Sequence, residues 1–312
     1  MLKKFRWAAL LAGAFLLAGC MQPASMVNAP ERTKRKTTFA VPRVQINISQ
    51  DAHQFSSPHF TLYLKRELDA LRQFASLQDR VSYGKGLILQ LETYYIHLKN
   101  TLGYVVKEPV NVVISKQVGQ VFSGGFTTPA YATSADPDYG NKPTAHFSPK
   151  SAAEVSTLIH EVTHLLDYAY VGKFAPPWFM EGIATMIEND FLEGNNRRRK
   201  EPLINEAGVN LLQKWAAHRR EGNMLPDGLE IEAYNHSYYI LSELHRRYGD
   251  DFYIKLFREM QKWPDRRLND GQLVDLMSRV TKTDMRRVFE NEFEFKFEDP
   301  EKKSTQTTTQ QK

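Results

Sequence analysis

The chain has 312 residues, 42% of them hydrophobic and 25% charged, in the proportions of a folded globular protein. This composition excludes a collagen-like chain and a chain disordered throughout, and the single cysteine, Cys20, excludes an internal disulfide framework and any metal site built on cysteines. The formal net charge of +5 is only mildly basic, and three of those charges, Lys3, Lys4 and Arg6, lie in the first nineteen residues.

Residues 1–19 have the layout of a secretory signal peptide. The three cations precede an apolar stretch at 7–17, which is shorter than the roughly 20 residues that a membrane-spanning helix needs. The stretch ends in Leu-Ala-Gly before Cys20, and this resembles the lipobox, where cleavage leaves a cysteine that carries acyl chains. The resemblance implies a lipid anchor on Cys20 in the cell envelope and, because Met21 is not Asp, outer-membrane sorting in a Gram-negative organism. An ordinary signal peptide with a chance cysteine is the alternative.

The segments at both ends of the predicted fold are polar. Residues 20–40 contain several cations and few large apolar side chains, so we expect them to be a tether between the lipid and the folded part. Residues 300–312 contain mainly Thr, Gln and Lys and are predicted to be a disordered tail. The basic run at 197–200 follows Gly-Asn-Asn and indicates a solvated loop. Since no folded basic face is indicated, nucleic acid is not an expected partner.

Residues 41–299 are predicted to form a single unit of the α+β class. Two helices are predicted at 66–81 and 87–102 from apolar residues that recur every three or four positions. After residue 151 almost all of the chain has a helical pattern. The sequence therefore predicts a small mixed sheet with helices in the N-terminal half, followed by a helical C-terminal half. Strands are predicted where alternating or β-branched residues occur, at 59–64, 110–114 and, more weakly, at 126–132 and 144–147.

The residues with recognisable chemistry begin at 160–164, which read His-Glu-Val-Thr-His within a helical pattern. Residues four apart in an α-helix differ by about 40° in direction, so His160 and His164 point to the same side. Their imidazoles are suited to bind one Zn²⁺. Glu161, the next residue along, is placed to hold the water that zinc activates and to take its proton.

A third metal ligand is predicted at Glu181. Catalytic zinc uses three protein ligands, and the two histidines supply only two. Two prolines at 176 and 177 cannot continue the first helix but suit the start of a second one. The connection at 171–175 is short, so the two helices should run antiparallel and bring Glu181 towards the histidines. Gly182, directly after it, is expected to let a neighbouring backbone approach closely.

These motifs resemble those of a known enzyme family. The His-Glu-x-x-His motif, followed by Pro-Trp-Phe-Met-Glu-Gly-Ile-Ala at 177–184, is similar to the gluzincin zinc metallopeptidases, and most of all to the peptidase MA-like bacterial proteins. The resemblance implies a zincin-type helical half, His160, His164 and Glu181 as zinc ligands, and Glu161 as the general base. It also implies that a polypeptide substrate adds as a strand to a sheet edge, which residues 124–132 or 144–147 would supply.

The same family usually adds a Tyr or His that stabilises the negative oxygen formed during peptide hydrolysis. Tyr234 is the first candidate, Tyr238 lies one helical turn on and shares its face, and His236 is the third. Core packing is the alternative for the two tyrosines. Asp167, three residues after His164, is predicted either to orient that imidazole or to be an ordinary surface residue.

The sequence therefore predicts a lipid-anchored, zinc-dependent metallopeptidase of the bacterial cell envelope. An endopeptidase is favoured over an aminopeptidase, because the spacing to Glu181 is shorter than in the aminopeptidase branch and no element that grips a substrate amino terminus is visible. The alternative is a non-catalytic envelope lipoprotein that uses a peptidase-like scaffold for binding or assembly.

Overall fold

The structure is a computed structural model, and it describes residues 42–70, 73–116, 126–128, 139, 142–192, 211–212, 214–215, 227–249, 251–293, 295 and 297. Several sequence predictions lie outside these residues: the signal peptide at 1–19, Cys20 and the tether at 20–40, the basic loop at 197–200, and the tail at 300–312. Within the described part of the chain, no helix is both long and apolar enough to cross a membrane.

The described residues of the N-terminal half form a mixed sheet with the strand order β1-β2-β3-β4-β6-β5. The middle strands β3, β4 and β6 run parallel to one another, whereas β1, β2 and β5 each pair in an antiparallel way. Every residue of β4 is buried, as expected for a parallel strand with both faces covered. The strands are β1 Asn47–Ile48, β2 Gln54–Ser56, β3 Phe60–Leu64, β4 Val110–Ile114, β5 Phe126–Thr128 and β6 Thr144–Phe147.

Helices make up most of the described chain after β6, and this confirms the predicted α+β class with a helical C-terminal half. One long helix, α2, belongs to the N-terminal half and packs against β2 and β3. The helices are α1 Glu67–Ala70, α2 Leu77–Leu102, α3 Pro149–Ala153, α4 Val155–Tyr170, α5 Pro177–Phe191, α6 Asp227–Tyr248, α7 Asp251–Gln261, α8 Asp270–Thr281 and α9 Met285–Glu292.

The prediction of two helices at 66–81 and 87–102 is wrong, because α2 is continuous from residue 77 to residue 102. The start of the helix is fixed by Ser76, whose side chain accepts a hydrogen bond from the backbone N–H of Asp79, and this cap separates α2 from the short α1. Gly84 does not interrupt the helix. Its missing side chain makes room for the ring of Phe55, with which an added Cβ would collide.

The predicted strands at 59–64, 110–114 and 144–147 correspond to β3, β4 and β6, with one residue of difference at the start of β3. Of the weaker prediction at 126–132, the structure describes only β5. Strands β1 and β2 have no counterpart among the predictions, because they are two and three residues long and carry too short a pattern to indicate a strand.

Candidate metal centre

Helix α4 presents both histidines of the motif on one side. Its buried face, which includes Leu158, Val162 and Leu165, packs into the core between the sheet and α5. The rings of His160 and His164 lie one helical turn apart, with centroids 4.9 Å from each other and planes inclined by 79°. The structure therefore places the two imidazoles as the i, i+4 spacing predicts.

The turn after α4 sends the chain back along it. Gly172 has a φ of +65°, a left-handed conformation that glycine adopts without strain, and Pro177 begins α5. Backbone hydrogen bonds to a distant segment also hold the connection between α4 and α5. The N–H of Phe174 donates to the carbonyl of Arg266 at 2.8 Å, and the N–H of Leu268 donates to the carbonyl of Phe174 at 2.8 Å. The position of α5 relative to α4 is thus fixed by backbone hydrogen bonds as well as by packing.

The carboxylate of Glu181 contacts both imidazoles. Its Oε2 lies 3.1 Å from Nε2 of His160 and 3.2 Å from Nε2 of His164. One ligand atom from each of the three residues lies within 4.8 Å of the others, and their side chains are only 15%, 10% and 18% exposed. Two imidazole nitrogens and a carboxylate oxygen that converge in a largely buried place are the ligand set of catalytic zinc sites, so these residues fit a Zn²⁺ ion.

Charges at this site favour a protonated His160 beside an ionised Glu181. Burial alone would lower the pKa of His160, but hydrogen bonding to Glu181 and Glu188 and the negative charge of Glu161 outweigh it and raise that pKa to about 10. Burial alone would raise the pKa of Glu181, but the charge of His164 and hydrogen bonds from both imidazoles hold it well below its ordinary value. A divalent cation that binds Nε2 of His160 must displace a proton from that ring.

A second carboxylate, that of Glu188, lies beside the other ring nitrogen of His160. This residue was not predicted from the sequence. Oε2 of Glu188 lies 3.4 Å from Nδ1 of His160, the ring nitrogen opposite to the one that faces Glu181. A carboxylate in this place fixes the orientation of the ring and makes it a better metal ligand. The signal was present in the sequence, because Glu188 follows Glu181 by seven residues, two helical turns, and so shares its face of α5.

Removing the charge of Glu188 is expected to weaken zinc binding. Glu188→Gln keeps the size of the side chain and a hydrogen-bond acceptor, but it removes the negative charge that strengthens His160 as a ligand, so the zinc affinity should fall about 10-fold. Competition with a chromophoric chelator measures this affinity. Glu154→Gln, an exposed position just before α4, is the matched control and should bind zinc like the wild type. Equal affinities in the two variants would contradict the supporting role of Glu188.

Asp167 neither binds the imidazole of His164 nor lies on the surface, so both predictions for this residue are wrong. It is buried rather than on the surface, and its Oδ1 accepts a hydrogen bond of 2.9 Å from the hydroxyl of Tyr104 rather than one from the imidazole of His164. Its Oδ2 is buried without a hydrogen-bond partner among the described residues, and burial raises its pKa to about 7. Asp167 therefore ties the segment that follows α2 to α4 beside the site.

Glu161 and Tyr234 both lie beside the imidazole of His160. Glu161 is partly buried, and its charge contributes to the raised pKa of His160. The ring centroid of Tyr234, on α6, lies 6.2 Å from that of His160. The ring of Tyr234 thus lies next to the imidazole of a candidate metal ligand.

Tyr238 and His236, the other two candidates on α6 for stabilising the negative oxygen, are placed less favourably than Tyr234. Tyr238 is partly buried against the core and has no ring contact with either imidazole in the described part of the chain. His236 is two residues from Tyr234, about 200° around the helix, and is buried with neither ring nitrogen hydrogen-bonded to a described residue. Burial lowers the pKa of His236 to about 4, so its imidazole is neutral near pH 7. Among these three candidates for stabilising the negative oxygen, the geometry favours Tyr234.

The close approach expected at Gly182 is present between α5 and α6. A Cβ added at Gly182 would lie 2.7 Å from a methyl carbon of Leu241 and 3.0 Å from Cβ of Ser237, so a larger residue would push the helices apart. Because α5 carries Glu181 and α6 carries Tyr234, this glycine sets the distance between the candidate metal centre and the tyrosine.

The two candidate edge strands can now be distinguished. The strand at 144–147 is β6, which pairs with β4 on one side and with β5 on the other, so neither of its edges can receive a further strand. The described residues of β5 pair only with β6 and lie against α4. Within the described sheet, the edge nearest to the histidines therefore belongs to β5.

No protein-family model matches the chain, and no curated protein matches its sequence. The similarity to gluzincins remains a prediction that depends on the motifs at 160–164 and 177–184. The chemistry of the converging side chains is therefore the basis for a functional assignment.

Proposed function

We propose that the protein is a zinc-dependent metallopeptidase that cleaves within extended polypeptides. The observation that supports this most directly is the contact of Glu181 Oε2 with Nε2 of both His160 and His164. Glu161, which is not one of these three residues, acts on His160 through its negative charge. Structural zinc sites are closed by four protein ligands, whereas three ligands leave a position for water or substrate.

His160, His164 and Glu181 hold the ion in this proposal. A bound zinc ion supplies Lewis acidity, which polarises a peptide carbonyl and lowers the pKa of water at the site towards 7. The carboxylate of Glu181 offsets part of the charge of the ion, and Glu188 keeps the ring of His160 in the orientation that directs Nε2 towards it.

Glu161 acts as the general base and then as the general acid. Its carboxylate takes a proton from the attacking water and passes it to the leaving amine nitrogen, which balances the proton in peptide hydrolysis. The hydroxyl of Tyr234 donates a hydrogen bond to the carbonyl oxygen of the scissile bond as negative charge develops there. The edge of β5 holds the substrate backbone as an added strand, which favours unfolded or extended chains over folded ones.

The cellular setting of this proposal comes from the sequence at residues 1–40. The signal-like segment and the lipobox-like residues before Cys20 support a mature protein held in the bacterial envelope by acyl chains, with the polar tether at 20–40 between the lipid and the peptidase. In a Gram-negative organism, Met21 supports placement in the outer membrane. The substrate is then a polypeptide that is reachable from that surface.

The purified protein is expected to contain about one zinc ion per chain and to cut an unstructured polypeptide at internal bonds. Elemental analysis measures the metal, and mass spectrometry of the fragments identifies the bonds that are cut. A strong zinc chelator should stop the cleavage, and added zinc should restore it. Zinc without cleavage of any broad peptide library would favour the non-catalytic lipoprotein, and a protein that binds no zinc would overturn the proposal.

A further inference from the structure

Trp215 lies against α6 at the turn that carries Tyr234. It belongs to a short helical stretch described at 211–212 and 214–215, and its side chain is completely buried. The ring of Trp215 contacts that of Tyr234, with centroids 4.8 Å apart and planes inclined by 57°. Its indole N–H donates a hydrogen bond of 2.8 Å to Oε1 of Glu230.

Glu230 and Tyr234 are four residues apart on α6, so their side chains lie one above the other on the same face. The indole of Trp215 spans this pair, because its N–H binds the carboxylate and its ring contacts the phenol ring. Two attachment points fix both the position and the tilt of the indole, and a fixed indole limits the orientations open to Tyr234.

Breaking the contacts of Trp215 with Glu230 and Tyr234 should cost free energy. Glu230 is only 7% exposed, and a buried carboxylate that loses a hydrogen-bond donor is left partly unsatisfied. An aromatic ring held at 4.8 Å also contributes packing beyond its buried area. The arrangement therefore maintains the ring of Tyr234 on the side of α6 that faces His160, where the two ring centroids are 6.2 Å apart.

We propose that Trp215 and Glu230 are positioning residues that hold the phenol of Tyr234 where it can donate to the scissile carbonyl oxygen. The inference rests on the proposed function, in which Tyr234 stabilises the developing negative charge. It gives a role to Trp215, which lies outside the metal-ligand motifs. Preorganised donors are effective because they need no reorientation during the reaction, so a loosened Tyr234 should slow the chemical step more than it weakens substrate binding.

Conservative variants separate positioning from folding. Glu230→Gln keeps an oxygen that accepts from the indole N–H, whereas Glu230→Ala removes it, and Trp215→Phe keeps a ring but loses the donor. We expect Glu230→Gln to behave like the wild type, and Glu230→Ala and Trp215→Phe to lower kcat about 10-fold with little change in KM. Zinc content should be unchanged in all three variants, because none of them alters a metal ligand.

A readout that needs no turnover comes from 3-fluorotyrosine placed at position 234. Its ¹⁹F resonance reports the nearby indole ring and the mobility of the phenol. The resonance should shift and broaden in Glu230→Ala and Trp215→Phe and should keep its wild-type form in Glu230→Gln. A resonance that is the same in all the proteins would overturn the proposal, whether or not cleavage is seen.

Tyr234→Phe supplies the second decisive comparison. If Trp215 acts through the phenol hydroxyl, Trp215→Phe should cause no further loss of kcat in a Tyr234→Phe background. An undiminished 10-fold loss there would show that Trp215 acts by another route and would overturn the proposal. An inactive wild type with a responsive ¹⁹F resonance marks failure of the proposed peptidase activity, whereas an active wild type with an unresponsive resonance marks failure of this inference alone.

Discussion

Glu161→Gln is expected to bind zinc as the wild type does and to cleave polypeptide at least about 100-fold more slowly. The substitution keeps the size of the side chain but removes the carboxylate that takes the proton from water. Glu181 Oε2 and the two imidazoles that it contacts are not altered, so the ligand set for zinc remains complete. The ratio kcat/KM on an internally quenched peptide measures the rate, and elemental analysis of the same samples measures the metal.

Two comparisons make this result specific. Glu154→Gln is the same chemical change at an exposed position just before the same helix, and its cleavage rate should equal that of the wild type. Thermal unfolding of Glu161→Gln should also match the wild type, which excludes a folding defect as the cause. A Glu161→Gln protein that cleaves at an undiminished rate would remove Glu161 from the mechanism and would leave the proton transfer without a base.

The convergence of His160, His164 and Glu181 was predictable because it follows from short-range rules. The spacing of His160 and His164 determines their common direction once the segment is helical, and the prolines at 176 and 177 indicate where the next helix begins. A short connection then leaves few ways for the second helix to run, so the approach of Glu181 could be inferred. Each of these steps depends on residues that are close to one another in the sequence.

The supporting residues were harder to predict because tertiary packing places them. Trp215 reaches Tyr234 from a separate segment, and Tyr104 meets Asp167 across 63 positions of sequence. No periodic pattern in the sequence predicts such pairs. Asp167 shows the difficulty clearly, since its spacing from His164 suggested a bond to the imidazole, while its actual partner, Tyr104, comes from the segment that follows α2.

The fold was predicted at the level of class and of the longer strands, but less well at the ends of helices. Apolar periodicity continued through the segment around residue 70, so it indicated a helix at 66–81, whereas the cap at Ser76 sets the true start of α2. The choice of edge strand also needed the structure, because strand pairing at 144–147 depends on two other segments. Propensity indicates that a strand exists but does not give its neighbours.

Glu181→Gln is expected to lower the affinity for zinc at least about 100-fold and to abolish cleavage with it. The amide is a neutral and weaker ligand than the carboxylate, and it removes the negative charge that partly offsets the two positive charges of the ion. In the metal-free protein the amide oxygen can take the place of Oε2, which contacts Nε2 of both imidazoles, and accept hydrogen bonds there. The fold should therefore survive, and competition with a chromophoric chelator measures the affinity.

Thermal unfolding with and without zinc gives an independent measure of the same loss. A ligand that binds only the folded state at 100 times its Kd stabilises that state by about 2.7 kcal/mol, so the wild type should gain clearly in Tm when zinc is added. Glu181→Gln and His160→Ala should gain little at the same zinc concentration, whereas Glu161→Gln should gain as much as the wild type. A zinc-dependent rise in Tm that is equal in all four proteins would show that zinc binds elsewhere, because only the first two variants change a ligand.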